Sequence, residues 1–326
     1  MVSVMPRSPI IETTDLRKTF KSRRSTVEAV QGVDLTVHGG EIFGFLGPNG
    51  AGKTTTLRML ATLIEPTAGR ATVAGVDLLR EPARVRERIG YVPQGGSTDP
   101  AETGRGELVL QGRLYGMPVS DAKARAAEVL AKLDLDSAAD RPTGTYSGGM
   151  RRRLDVGLGI VHRPQILFLD EPTTGLDPQA RARMWEEIQN LRALGTTVFL
   201  TTHYLEEADA LCDRLAIIDH GTIVAEGTPD QLKQKVAGDV VTIGVNGSGA
   251  SVLALVEAMA FVREASFDAD SELVRLYVDR GETAVPHLLR SLDAAGLEPT
   301  SIALNKPSLD DVFLRQTGRS LREEAA

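Results

Sequence analysis

Apolar residues along this chain change their spacing several times, and each change marks an element. Residues 10–16 and 27–37 show partial alternation and Ile42-Phe43-Gly44-Phe45-Leu46 is a short apolar run, so three strands are predicted at the start. Leu57, Leu60, Leu63 and Ile64 then recur at helical spacing. From about Thr98 to Asp140 the pattern is helical: Leu108, Leu110, Leu114 and Tyr115, a break at Gly116-Met117-Pro118, then Ala126, Val129, Leu130 and Leu133. Strands return at 166–169, 197–202 and 215–218, separated by helical patterns such as 181–194. This alternation predicts an α/β fold with a mixed, mostly parallel sheet core, an antiparallel β part and a helical insert of about residues 98–162.

Beyond Lys233 and Gln234 the character shifts. A strand at 240–245, a turn at Asn246-Gly247-Ser248-Gly249, a helix at 252–259, strands at 262–267 and 273–278, a helix at 283–295 and a strand at 301–304 follow in turn. The order βαββαβ predicts a small ferredoxin-like α+β domain. The expected division is a first domain over 1–236 and a second over 237–326, the latter closing on a helix that Ser308 caps.

Composition narrows the function. A length of 326 residues suits two moderate cores. With 37 Lys and Arg against 44 Asp and Glu, a net charge of -7, the chain is not expected to bind nucleic acid. One cysteine, Cys212, excludes an intrachain disulfide framework and a cysteine zinc site, and a reducing cytoplasm fits it. No apolar run approaches the roughly 20 residues of a membrane span, so membrane association is expected only through a partner.

The chemistry begins at Gly47-Pro48-Asn49-Gly50-Ala51-Gly52-Lys53-Thr54, which satisfies GxxxxGK[ST] between a strand and a helix. In that context backbone amides cradle phosphate, Lys53 reaches the outer phosphates and the Thr54 hydroxyl ligates Mg²⁺. The strand Ile166-Leu167-Phe168-Leu169 ends in Asp170-Glu171, the first acid suited to the Mg²⁺ shell and the second to polarising an attacking water. Between the two lies Tyr146-Ser147-Gly148-Gly149-Met150, whose small residues can place bare amides at a helix N-terminus, where they suit a terminal phosphate.

Read in order, Lys53, Gln94, Tyr146 to Met150, Asp170-Glu171, Gly175-Leu176-Asp177 and His203 resemble the nucleotide-binding domain of an ATP-binding cassette (ABC) transporter, a P-loop NTPase, over residues 10–236. The resemblance implies ATP and Mg²⁺ as cofactors, with Phe20 stacking on adenine and Thr55 joining residues 47–54 at the nucleotide. It implies Gln94 beside the metal and His203 at the γ-phosphate, with Lys53 and Glu171 completing the catalytic set, and Thr54, Gln94 and Asp170 as metal residues. Asp177 matches the D-loop, and Tyr146, Ser147, Gly148, Gly149 and Met150 act in trans within a homodimer. Tyr-Ser-Gly-Gly-Met departs at both ends from the commoner Leu-Ser-Gly-Gly-Gln and is similar to the daunorubicin/doxorubicin-resistance branch, as are the second domain and the segment 308–318.

That branch implies an ATPase subunit at the cytoplasmic face of the membrane, driving a separate polytopic permease that exports a hydrophobic drug, antibiotic or lipid. The alternative is a soluble ABC ATPase in a nucleic-acid or ribosome process, against which stand the single motif set and the acidic charge. A non-catalytic regulator is opposed by the intact Asp170, Glu171 and His203. Arg151, Arg152 and Arg153 read as a solvated helix face, Trp185 as packing, and Cys212 as a buried small residue.

Overall fold

The computed structural model describes residues 8–22, 25–235, 238–269 and 271–318. They form two compact units that divide between Pro229 and Asp230. The first unit opens with a hairpin of β1 (Pro9–Lys21) and β2 (Thr26–His38), then β3 (Ile42–Leu46), α1 (Lys53–Leu60), β4 (Ala68–Val73), β5 (Val76–Asp77), the short α2 (Pro82–Arg86) and β6 (Ile89–Val92). A helical insert follows: α3 (Gly104–Leu114), α4 (Val119–Lys132) and α5 (Gly148–Ile160). The unit closes with β7 (Ile166–Asp170), α6 (Pro178–Ala193), β8 (Thr197–Thr202), α7 (Leu205–Leu211), β9 (Arg214–Asp219) and β10 (Thr222–Gly227).

Two sheets result. The antiparallel one has the order β2-β1-β4-β5, and the larger one the order β10-β9-β3-β8-β7-β6, parallel except for β10 at its edge. Every residue of β3, β7 and β8 is buried, as expected for parallel strands covered on both faces, which explains why they read as unbroken apolar runs. Phe199 at their centre packs against Phe43, Phe45 and Phe168 with ring centroids 5.6, 5.7 and 5.6 Å away. Register then places the chemistry: Leu46 pairs with Thr202, Asp170 with Thr201 and Val92 with Leu169, so β3, β8, β7 and β6 all end at one edge.

The break at Gly116-Met117-Pro118 separates α3 from α4, and Thr103 caps α3 by accepting the Gly106 N–H at 3.0 Å. Strands β4, β5, β6 and β10 were not among the expected elements. β4 is Ala-Gly-Arg-Ala-Thr-Val and β6 is four residues long, so neither carries enough apolar pattern to be seen alone.

The second unit runs α8 (Pro229–Lys235), β11 (Asp239–Gly244), α9 (Gly249–Glu257), β12 (Val262–Asp268), β13 (Leu273–Val278), α10 (Gly281–Ala294), β14 (Ser301–Asn305) and α11 (Leu309–Thr317). Its antiparallel sheet has the order β12-β13-β11-β14, the ferredoxin-like arrangement. Val241, Ile243, Val274 and Leu276 pack with Val252, Val256, Leu288 and Leu292 of α9 and α10 into one core. α11 begins with a capping box in which Ser308 and Asp311 satisfy each other's backbone, and Asp311 also accepts from Tyr277 Oη at 3.2 Å.

Candidate functional site

The loop after β3 is shaped by its glycines. A Cβ on Gly47 would lie 2.2 Å from the Ile218 carbonyl oxygen, and Gly52 has φ +104 with the Ala29 carbonyl 2.4 Å from where a Cβ would sit, so neither position admits a side chain. α1 starts directly after Gly52 with no side-chain cap and no acidic residue in its first turn. Its N-terminal amides and the helix dipole are therefore left to an anionic ligand.

Lys53 is buried, and its Nζ donates to the carbonyls of Gly47 at 2.7 Å and Pro48 at 2.9 Å. It lies 3.5 Å from Glu171 Oε1. Burial pulls the lysine pKa down, while Glu171 and Asp170 oppose that fall. Thr54 Oγ1 donates to Asp170 Oδ1 at 2.8 Å, joining the start of α1 to the end of β7. Thr201 Oγ1 donates to the same oxygen at 2.8 Å, and Asp170 Oδ2 is buried without a hydrogen-bond partner.

Glu171 takes a left-handed backbone conformation, φ 46, unusual for a residue with a side chain. Its N–H is held by Thr201, at 3.0 Å from Oγ1 and 3.2 Å from the carbonyl, and the strained turn points the carboxylate into the cluster. Gln94 Nε2 donates to Glu171 Oε2 at 2.8 Å and Thr174 Oγ1 donates to it at 3.1 Å, while His203 Nδ1 lies 3.3 Å away without hydrogen-bond alignment. Burial alone would raise the pKa of Glu171, but His203, Lys53 and Thr174 together outweigh it and hold the carboxyl below its ordinary value. An ionised carboxylate, a lysine and a bare helix N-terminus thus share one sheet edge, a setting able to bind phosphate and polarise a water.

Not every predicted residue joins this cluster. Phe20 is on the hairpin of the antiparallel sheet, 45% exposed, with Lys18 Nζ 5.1 Å from its ring centroid. Ser147 caps α5 by accepting the Met150 N–H at 3.2 Å. Tyr146 is an anchor, buried with its hydroxyl donating to the Ala138 carbonyl at 2.7 Å. Asp177 caps α6 by accepting the Ala180 N–H at 2.8 Å. Ser147, Gly149, Met150, Gly175, Leu176 and Asp177 line a separate cleft of about 410 Å³, into which the phosphate loop does not reach.

Several residues of the site were missed in the sequence. Thr201 and Thr174 were invisible because their roles depend on strand register and a tight turn. Arg152 corrects the expectation of a solvated arginine face: Arg151 is exposed, but Arg152 is buried and hydrogen-bonded to four carbonyls. No helical period in the sequence sets it apart, because every residue from Leu154 to Ile160 of α5 is buried as well. Trp185 does more than pack, since its Nε1 donates to Glu207 at 3.2 Å, whereas Cys212 is buried as expected.

Comparison with known proteins agrees with this geometry. Residues 30–174 match the family described as ABC transporter, and residues 227–317 match the family described as ATP-binding protein DrrA1-3-like, C-terminal domain. The chain is 46% identical over 301 residues to the daunorubicin resistance ATP-binding protein DrrA2 of Streptomyces coeruleorubidus, covering 92% of this chain and 93% of that one. It is 45% identical over 306 residues to the doxorubicin resistance ATP-binding protein DrrA of Mycobacterium tuberculosis, covering 93% and 92%. A dimeric structure of a bacterial ABC transporter cassette superposes with a TM-score of 0.62 at 25% identity, covering 67% of this chain and 98% of that one.

Proposed function

The chain belongs to the daunorubicin/doxorubicin-resistance type of ABC transporter ATP-binding proteins, ATPases of drug-resistance exporters, and from that premise we propose how its residues divide the work. The non-transport reading finds no support among these relatives. ATP binds with its phosphates along the loop 47–54 and the N-terminus of α1, where Lys53, Thr54 and Thr55 meet them, and its adenine stacks on Phe20. Glu171 orients and deprotonates the attacking water, and Gln94 and His203 hold that carboxylate and the γ-phosphate in place.

The cluster fits magnesium. Thr54 and Asp170 offer hard oxygen donors, and the buried Oδ2 of Asp170 has no hydrogen-bond partner, leaving its lone pairs to a cation. Among the described residues no group of three or more His, Cys, Asp or Glu converges, so Thr54, Asp170 and Gln94 would hold the ion, with nucleotide phosphate and water completing its shell. When bound, Mg²⁺ neutralises developing charge on the phosphates. Lys53 and the loop amides do the same from the protein side.

The observation that carries the assembly is the separation of the two half-sites. Within one chain the phosphate loop, Asp170 and Glu171 converge, while Ser147, Gly148 and Gly149 face a different cleft beside Asp177. Two copies arranged about a two-fold axis bring each half to the other. The homodimer works at the cytoplasmic face of the membrane through a polytopic permease, which the helical insert around 98–115 contacts. Among the described residues no helix is long and apolar enough to cross a membrane, so the path for the drug, antibiotic or lipid is assigned to that permease.

The test is Glu171→Gln. Without a carboxylate the water is neither oriented nor deprotonated, and turnover should fall by about 10²–10⁴-fold while ATP binding persists. ATP hydrolysis and equilibrium binding measured side by side decide it; near-normal turnover would refute the role.

A further inference from the structure

Of the three consecutive arginines near the start of α5, Arg151 is exposed and Arg152 is buried, its hydrogen bonds going to main-chain carbonyls on two loops. Nε donates to Pro172 at 2.7 Å, Nη1 to Pro93 at 2.6 Å, and Nη2 to Asp170 at 3.1 Å and Glu171 at 3.3 Å. One turn further, buried Asp155 accepts from Ser97, from its N–H at 2.8 Å and its hydroxyl at 3.0 Å. α5 therefore grips the segment 93–97 at both ends, and Gln94 between them donates to the Glu171 carboxylate. Burial pulls the Arg152 pKa down, opposed by Asp155 and Asp170, so holding this cation inside has a cost that four charge-assisted hydrogen bonds offset.

We propose that Arg152 is a positioning residue that couples the two nucleotide sites of the dimer. The inference rests on the reading of Ser147, Gly148 and Gly149 as the half-site given to the partner. α5 presents those residues at its N-terminus. One turn along the same helix, the guanidinium holds the main chain around this protomer's own Glu171 and Gln94. Through the same rigid hydrogen bonds, this protomer's own loops fix how α5 presents Ser147-Gly148-Gly149 to the partner's nucleotide, so loosening Arg152 in one protomer weakens the site fired by the other protomer's Glu171. Lysine cannot replace it, because one ammonium cannot span carbonyls that a planar fork reaches in several directions.

Mixed dimers of the full-length chain separate this role from a local one. One protomer carries Glu171→Gln, so the only firing site uses the other protomer's Glu171 and the mutated protomer's Ser147-Gly148-Gly149. Adding Arg152→Lys to the Glu171→Gln protomer leaves the firing carboxylate untouched, yet the proposal predicts about tenfold slower turnover of the remaining site. Turnover equal to that of the mixed dimer without the lysine overturns it, as does a loss seen only when Arg152→Lys sits with the intact Glu171. Melting temperature and ATP binding are measured on each chain. If Arg152→Lys does not fold, Asp155→Asn in the same protomer loosens the grip on Ser97 and should also slow the remaining site; no effect there overturns the coupling. Near-normal turnover of the Glu171→Gln homodimer would instead defeat the catalytic assignment, whatever Arg152 does.

Discussion

Thr201 is the residue on which the site's geometry turns. Its hydroxyl donates to Asp170 and accepts the N–H of Glu171, so one side chain sets the position of both acids. Thr201→Val keeps the shape and removes both bonds, leaving a buried N–H to its carbonyl partner alone and a buried carboxylate with one donor fewer. A loss of about 1–3 kcal/mol in urea denaturation is expected; an unchanged midpoint would mean the backbone holds Glu171 by itself. Glu207 has a different consequence. Burial drives its carboxyl pKa up against hydrogen bonds from Thr202, Thr173 and Trp185, so the folded state keeps a proton that the unfolded chain releases. Its contribution to stability is present below the unfolded carboxylate pKa and is lost as pH rises through the raised folded value. Glu207→Gln does not titrate, so its melting temperature should gain on that of the wild type as pH rises above the ordinary carboxylate pKa; a difference that stays constant with pH would contradict the account.

Elements decide how much of this could be read from the chain. β3, β7 and β8 were legible because both their faces are covered and each is an apolar run. The phosphate loop and Asp170-Glu171 were legible because their chemistry is contiguous in sequence. The family resemblance drawn from those motifs, the fold and the ATPase activity are borne out by the relatives. What was missed depends on pairing or packing: β6 and β10 find their place only beside β7 and β9, and Arg152 looks like its two neighbours until the loop carbonyls it meets are in place. α11 shows how a local signal can suffice, since Ser308 forms the predicted N-cap, and Asp311 completes it as a capping box. Ser308→Ala removes the N-cap acceptor and should destabilise the second unit by about 1 kcal/mol, read as an earlier melting transition. A transition that does not move would show that Tyr277 alone holds the helix.

For the whole molecule, the proposed homodimer has the sheet edge supply one half of each hydrolytic site and the helical insert the other. Symmetry then requires that each protomer be both donor and acceptor. Substitution in either half should silence a homodimer, but for different reasons: Lys53→Ala removes the charge that meets the phosphates, and Ser147→Arg blocks the surface given to the partner. In a mixed dimer one site carries both lesions and the other carries neither. The most direct test is to mix the purified Lys53→Ala and Ser147→Arg chains and measure ATP hydrolysis. Random pairing leaves about a quarter of all sites intact, so activity should return to about that fraction of wild type on mixing. Two inactive chains that stay inactive together, although they form mixed dimers, would contradict the shared site.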